Sequence, residues 1–238
     1  MRKLIAVAML AASASPGSAA PQDPSWTQAV QPFRIADRLY YVGSRELAAY
    51  LIDSGDGLIL LDGGVPENAP LVLASIRSLG FDPKRVRLLL NSQAHFDHAG
   101  ALAAIKAATG ARLLASAPDA ALLERGGRGD FAWGDDLPYP QVKVDRVVRN
   151  GEEVKLGRTV LTARITPGHT KGCTTWQMPI IDGGRRYEAL FLCGTTAPGY
   201  RLTDNREYPD IVADFRRSFA TWKSLPCDLF LGAHASYF

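Results

Sequence analysis

Each of the four histidines in this chain stands just beyond a short apolar run. His95 and His98 follow Val86 to Leu90 in "VRLLLNSQAHFDHAG", His169 follows the run ending near Ile165 in "ARITPGHT", and His234 follows Leu229 to Leu231 in "LFLGAH". Apolar runs of this length, bounded by turn residues, read as buried strands. Strand ends and the loops adjoining them are where an α/β scaffold presents functional groups. A lone histidine is usually a surface or hydrogen-bonded core residue, but none of these four is left over for that ordinary role.

The pattern along the chain supplies such a scaffold. "RLYYVGSRELAAYLIDSGDGLILLDGG" reads as three short strands, with Gly55 to Gly57 as a hairpin turn. "PENAPLVLASIRSLG" has helical spacing through Leu71, Leu73 or Ala74, Ile76 and Leu79, and stops at Gly80. After the histidine-rich loop, "ALAAIKAATG" predicts a helix ending at Gly110, and "RLLAS" with "APDAALLERGG" repeats the strand and helix alternation. The second half is strand-rich: "QVKVDRVV", "EEVKLG", "TVLTARITPGHT", "CTTWQMPII" and "YEALFLCGT", then a helix around Ile211 to Leu225 and the strand "DLFLGAH". Strands in runs with helices interspersed predict an αββα sandwich, two sheets packed together and covered by helices on their outer faces. With 238 residues, 47 % of them hydrophobic, the chain can bury one full core. The loop from Gly126 to Pro140 exceeds the usual connection of about 4 to 6 residues and is a candidate wall for a site; Trp133 within it reads as a partly buried aromatic.

Residues 1–20, "MRKLIAVAMLAASASPGSAA", have the plan of a cleaved secretory signal: Arg2 and Lys3, an apolar stretch, then small residues. The apolar stretch is well short of the roughly 20 residues that span a bilayer. The expected location is periplasmic or secreted, and the mature domain is expected to run over 21–238. Its loss leaves 27 less two basic residues against 24 acidic ones, a formal net charge of +1. That balance gives no reason to expect a nucleic acid or a membrane surface as partner; a monomer acting on a small molecule is expected.

Within "NSQAHFDHAG", His95, Asp97 and His98 are too close in sequence to serve one centre together, and with Gln93 they offer alternate side chains to two metals a few Å apart. Imidazole and carboxylate together suit zinc with a position left for water. No HExxH pair is present, so a thermolysin-like arrangement is not supported.

These stretches resemble the metallo-β-lactamase superfamily, whose signature is His-x-His-x-Asp-His followed by distant histidines. "QAHFDHAG", "TPGHTKGCTTW" and "LGAH" carry the likeness, and the flanks "YYVGSRELAAYLIDSGDGLILLDGG" and "APGYRL" are similar to subclass B3 in particular, from about Trp26 to the C-terminus. The motif alone is shared with glyoxalase II and lactonases. The resemblance implies one zinc on Gln93, His95 and His169 and a second on Asp97, His98 and His234. It implies hydrolysis of the β-lactam amide by zinc-activated water, hence antibiotic resistance, with Asp97 as the catalytic carboxylate and Thr195, Thr196 and Tyr200 near the substrate. The rivals are another hydrolase of this fold, acting on a lactone, ester or thioester, and a non-catalytic binding protein on the same scaffold. Gln93 departs from the signature: it can ligate only through a neutral amide oxygen, a weaker donor for zinc than imidazole, so the first site is expected to be the weaker one.

Three cysteines leave at least one unpaired. If "DGG" at 182–184 turns the hairpin between "CTTWQMPII" and "YEALFLC", Cys173 and Cys193 fall opposite each other. Cross-strand Cβ atoms lie about 4.5 to 5.5 Å apart, slightly beyond a disulfide's roughly 3.8 Å; contact is expected and a bond is left open. The resemblance argues against Cys193 as a ligand and places Gly194 where that subclass commonly has Ser. It also implies a terminal helix beyond Phe238, so that the sequence is cut short and Cys227 lacks a partner.

Overall fold

The computed structural model describes residues 23–237; the signal-like segment and Phe238 lie outside them. Two mixed sheets face each other, with helices on both outer faces, as expected. The first has seven strands in sequence order: β1 (Phe33–Ala36), β2 (Leu39–Tyr41), β3 (Tyr50–Asp53), β4 (Leu58–Leu61), β5 (Val86–Leu90), β6 (Arg112–Ser116) and β7 (Arg146–Val148). It is antiparallel through β4 and parallel from there on. The second sheet runs in the order β12 (Leu229–Leu231), β11 (Arg185–Phe191), β10 (Thr174–Asp182), β9 (Thr159–Ile165), β8 (Glu153–Leu156), and only β11 and β12 are parallel. The helices are α1 (Ala69–Ser78), α2 (Phe96–Ala99), α3 (Leu102–Thr109), α4 (Ala117–Glu124) and α5 (Ile211–Ser224). Among the described residues no helix is long and apolar enough to cross a membrane.

The alternation of β4 shows how the layers form. Leu58 and Leu60 pack outward with Val72 and Ile76 of α1 and Leu102 and Ile105 of α3. Ile59 and Leu61 point inward and meet Leu161, Trp176, Met178 and Phe191 of the second sheet. Side chains on a strand alternate between faces, so an unbroken apolar run is what a strand buried on both faces requires. Helix α5 covers the second sheet, where its Trp222 Nε1 donates to Thr175 Oγ1 at 2.8 Å.

Several local expectations need correction. β1 escaped notice because "FRIA" is largely exposed and carries no periodic signal. Of "QVKVDRVV" only Arg146–Val148 is strand; Val142 instead packs on the helix-side core. The buried face of α1 is Ala69, Val72, Ser75 and Ile76; of the expected stripe Ile76 lies at its centre, while Leu71 and Leu79 pack on the core only partly buried. The histidine-rich segment is only partly a loop, since α2 begins within it. Helix α3 ends as expected, with Gly110 in the left-handed conformation at φ 77°.

The β10–β11 turn consists of Gly183 and Gly184, both at positive φ, as a two-residue type I′ hairpin demands. Asp182 therefore pairs with Arg185 and Trp176 with Phe191, which displaces the register half a residue from the expected centre. Cys173 and Cys193 are nevertheless joined as a disulfide, with Cα atoms 5.8 Å apart, because both lie beyond the ends of the regular ladder. Cys227 is exposed.

Candidate metal centre

The two sheets deliver the signature residues to one end of the sandwich. Asp62, at the end of β4, prepares the first loop: its carboxylate accepts from Ser92 N at 2.8 Å, Ser92 Oγ at 2.5 Å and Asn91 Nδ2 at 3.3 Å. From the facing sheet Trp176 Nε1 donates to Asn91 O at 3.1 Å. The chain then presents Gln93 and His95 before α2 and Asp97 and His98 on it. His169 comes from the β9–β10 loop and His234 from just past β12.

These six side chains form two groups of three. Gln93 Oε1 and His169 Nε2 lie 3.0 and 3.2 Å from His95 Nδ1. His98 Nε2 and His234 Nε2 are 3.1 Å apart, and Asp97 Oδ2 is 3.3 and 3.4 Å from them. The second group satisfies the geometry of a cation site in its own right. Gln93 is fully buried with Nε2 unpartnered, an arrangement that makes sense when its oxygen is the working atom. Two sets of N and O donors with their lone pairs converging fit zinc.

The surroundings prepare these donors. His169 Nδ1 donates to Thr196 O at 2.7 Å, which leaves Nε2 free to face the first set. Burial, reinforced by His95, pushes the His169 imidazole down to about 3, so it is neutral and ready to ligate. Burial works to raise the Asp97 carboxyl, but His98, His234 and His95 together hold it well below the ordinary range. Burial also opposes a charged His98, and Asp97 with Asp62 raises it. Glu46 Oε1 lies 3.4 Å from His234 Nδ1 and Asp130 Oδ2 3.6 Å from His95 Nε2, the latter too long for a hydrogen bond.

Burial raises the Asp62 carboxyl from 3.8 to about 6, against the opposing effect of His98 and the Ser92 and Asn91 donors. A carboxyl raised by folding contributes stability that is present below its unfolded value and lost as pH rises through its folded value. The metal-free protein should therefore gain stability relative to Asp62→Asn on going from pH 7 to pH 5, by about 1 kcal/mol. Urea denaturation of both proteins in chelator checks this; a pH-independent difference would refute it.

A cavity of about 450 Å³ opens over both sets, walled by Trp26, Phe96, Trp133, Leu137, Pro198 and Tyr237. Trp133 does more than the sequence suggested: its ring meets that of His95 edge-on, with centroids 4.6 Å apart. Thr196 lines the cavity, whereas Thr195 and Tyr200 do not. The Tyr200 hydroxyl instead donates to His169 O at 2.9 Å, supporting the histidine loop from behind. Gly194 runs so close under His169 that a Cβ there would come within 2.3 Å of the ring. Trp26, Glu46, Asp130 and Tyr237 were not anticipated. Asp130 lies in the long loop expected to wall the site, which Trp133 and Leu137 do; nothing local marks the other three, which reach the site only through the tertiary fold.

Comparison with known proteins agrees with this geometry. The profile of the metallo-beta-lactamase superfamily matches residues 47–179. Native FEZ-1 metallo-beta-lactamase from Legionella gormanii superposes with a TM-score of 0.87 at 44% identity, over 89% of this chain and 82% of that one. BJP-1, a subclass B3 metallo-beta-lactamase of Bradyrhizobium japonicum, gives 0.85 at 42% identity, over 90% and 81%. A hydroxyacylglutathione hydrolase of Rhodospirillum rubrum is 35% identical over 107 residues, 45% of this chain. That match spans only 34% of the hydrolase's own length. A family profile that takes in Gln93, His95, Asp97, His98 and His169, together with superposition on solved structures over about nine-tenths of the chain, places this chain in the metallo-β-lactamase superfamily, with subclass B3 enzymes among its structural neighbours.

Proposed function

We propose that this protein is a zinc-dependent β-lactamase of subclass B3 character, acting on small β-lactams outside the cytoplasm. The observation that carries the reading is the likeness to solved β-lactamases over about nine-tenths of the chain at above 40% identity. The likeness to the hydroxyacylglutathione hydrolase covers less than half of it. That second likeness keeps a thioester hydrolase as the rival.

Gln93, His95 and His169 would hold one zinc and Asp97, His98 and His234 the other. Bound zinc supplies a Lewis acid and a water that ionises near neutral pH. The chain's own residues do the rest. Trp26, Phe96 and Trp133 form apolar walls that exclude bulk water from the reacting amide, which strengthens every polar interaction inside. Asp97, held ionised, keeps an anionic acceptor within the second set that can orient the attacking water. The reaction adds OH to the lactam carbonyl carbon and H to the ring nitrogen as the bond between them breaks. Thr196 on the cavity wall can meet the substrate's polar groups; Thr195 and Tyr200 would act from behind it.

The test is turnover of a chromogenic cephalosporin by the purified protein, lost with a chelator and restored by zinc, run beside a glutathione thioester. Faster hydrolysis of the thioester, or no cephalosporin turnover at full zinc loading, would sink the proposal. In the same assay Gln93→His should tighten zinc at the first set by about tenfold or more, because imidazole replaces a neutral amide oxygen. Unchanged affinity and occupancy would show that Gln93 is not a ligand.

A further inference from the structure

The first donor set is drawn from loops that belong to different sheets: Gln93 and His95 after β5, His169 between β9 and β10. One side chain ties these loops together. Asp119, the third residue of α4, is buried and uses both carboxylate oxygens. Oδ2 accepts from Ala94 N at 3.0 Å and from Thr170 Oγ1 at 2.9 Å. Oδ1 accepts from Gly172 N at 2.9 Å. Ala94 is the residue between Gln93 and His95, and Thr170 follows His169 directly.

Two further contacts show that this junction is built for close approach. Ser116 Oγ donates to Gly172 O at 2.5 Å, and a Cβ on Gly172 would come within 2.2 Å of Ser116 Oγ and 2.5 Å of Asp119 Oδ1. The other side of the Ala94 residue is pinned as well, since the Tyr139 hydroxyl donates to Ala94 O at 2.5 Å. The backbone between Gln93 and His95 is thus held at its N–H by Asp119 and at its C=O by Tyr139. No comparable link from Asp119 reaches Asp97, His98 or His234.

We propose that Asp119 is a positioning residue for the first zinc set, fixing the separation between the Gln93–His95 loop and the His169 loop; this rests on the zinc reading above. A set with a neutral amide as one of its donors depends more on prior alignment than a three-imidazole set, because each ligand bond compensates less for disorder in the others. The carboxylate is required as such. An asparagine has the same shape but must turn an NH₂ toward either Gly172 N–H or the pair formed by Ala94 N–H and Thr170 Oγ1, setting donor against donor.

Zinc affinity measured by competition with a chromogenic chelator tests this, with the two sets separated by background substitutions. His234→Ala retains the first set whole, and His169→Ala retains the second. Adding Asp119→Asn should weaken zinc by about 10- to 100-fold in the His234→Ala background, the range known for residues that orient metal ligands. In the His169→Ala background it should change affinity less than about twofold. Thr170→Val, which removes one of the three donors and keeps the side chain's volume, should weaken the first set alone by a smaller factor and decides the matter if Asp119→Asn does not fold. Equal weakening of both sets would overturn the proposal by reducing Asp119 to a general stabiliser. An unchanged first set would overturn it directly while leaving the zinc reading intact. Failure of the parent protein to take up zinc would remove both.

Discussion

Asp97→Ala is expected to lower kcat/KM for a cephalosporin by about a thousandfold, equivalent to about 4 kcal/mol of transition-state stabilisation. Asp97 Oδ2 lies 3.3 Å from His98 Nε2 and 3.4 Å from His234 Nε2. Without it the second set falls to two imidazoles, and, on the proposed reading, an anion that can orient the attacking water is lost with the third donor. The variant should bind one zinc instead of two, so metal content and turnover should fall together. Retention of two zincs with near-parental turnover would remove Asp97 from the proposed machinery. The substitution shortens a side chain beside an open cavity, so the fold itself should survive, as circular dichroism would show.

Trp176→Ala should have the largest effect on stability, a loss of about 3 to 5 kcal/mol. Trp176 is fully buried where the two sheets meet, in the cluster with Ile59, Leu61, Leu90 and Phe191. Its removal opens a cavity between the layers and leaves Asn91 O without its donor at the root of the ligand loop. Against a typical total of about 5 to 15 kcal/mol, a loss of this size takes up much of the margin. A urea midpoint close to that of the parent would contradict this account of the core. Phe191, the cross-strand partner of Trp176, is too well packed to swing into the space without opening another.

Much of this architecture was legible in the sequence because its signals are local. The strand β4 is a continuous apolar run and β9 alternates apolar with polar residues, and Gly80, Gly110 and the Gly183–Gly184 pair stand where a helix or hairpin must end. The signature residues could be found for the same reason: the spacing of Gln93, His95, Asp97 and His98 is itself the information. What could not be read was register and reach. The hairpin centre depends on whether two or three residues form the turn, and half a residue shifted the β10–β11 ladder, although Cys173 and Cys193 beyond its end still meet. Tyr200 has the residue type for contacting substrate, yet its hydroxyl is taken by His169 O. Asp119 and Glu124 look alike in sequence as acids on one helix. Only the first is buried between two loops, and that difference arises from how the sheets stack.

The composition of the two donor sets has a consequence for folding. Each set takes two members from the segment after β5 in the first sheet, either just before α2 or on it, and one from the second sheet, His169 in one case and His234 in the other. Neither half of the molecule can assemble a complete set by itself. On the proposed reading, each zinc is a clasp across the sandwich, closed only when the layers are in register. Ligand binding to the folded state alone stabilises it by mass action, so separating the layers must release both ions. Metal retention then becomes a gauge of how firmly the two layers are docked, and a core substitution far from the cavity would register first as an enzyme that loses its zinc.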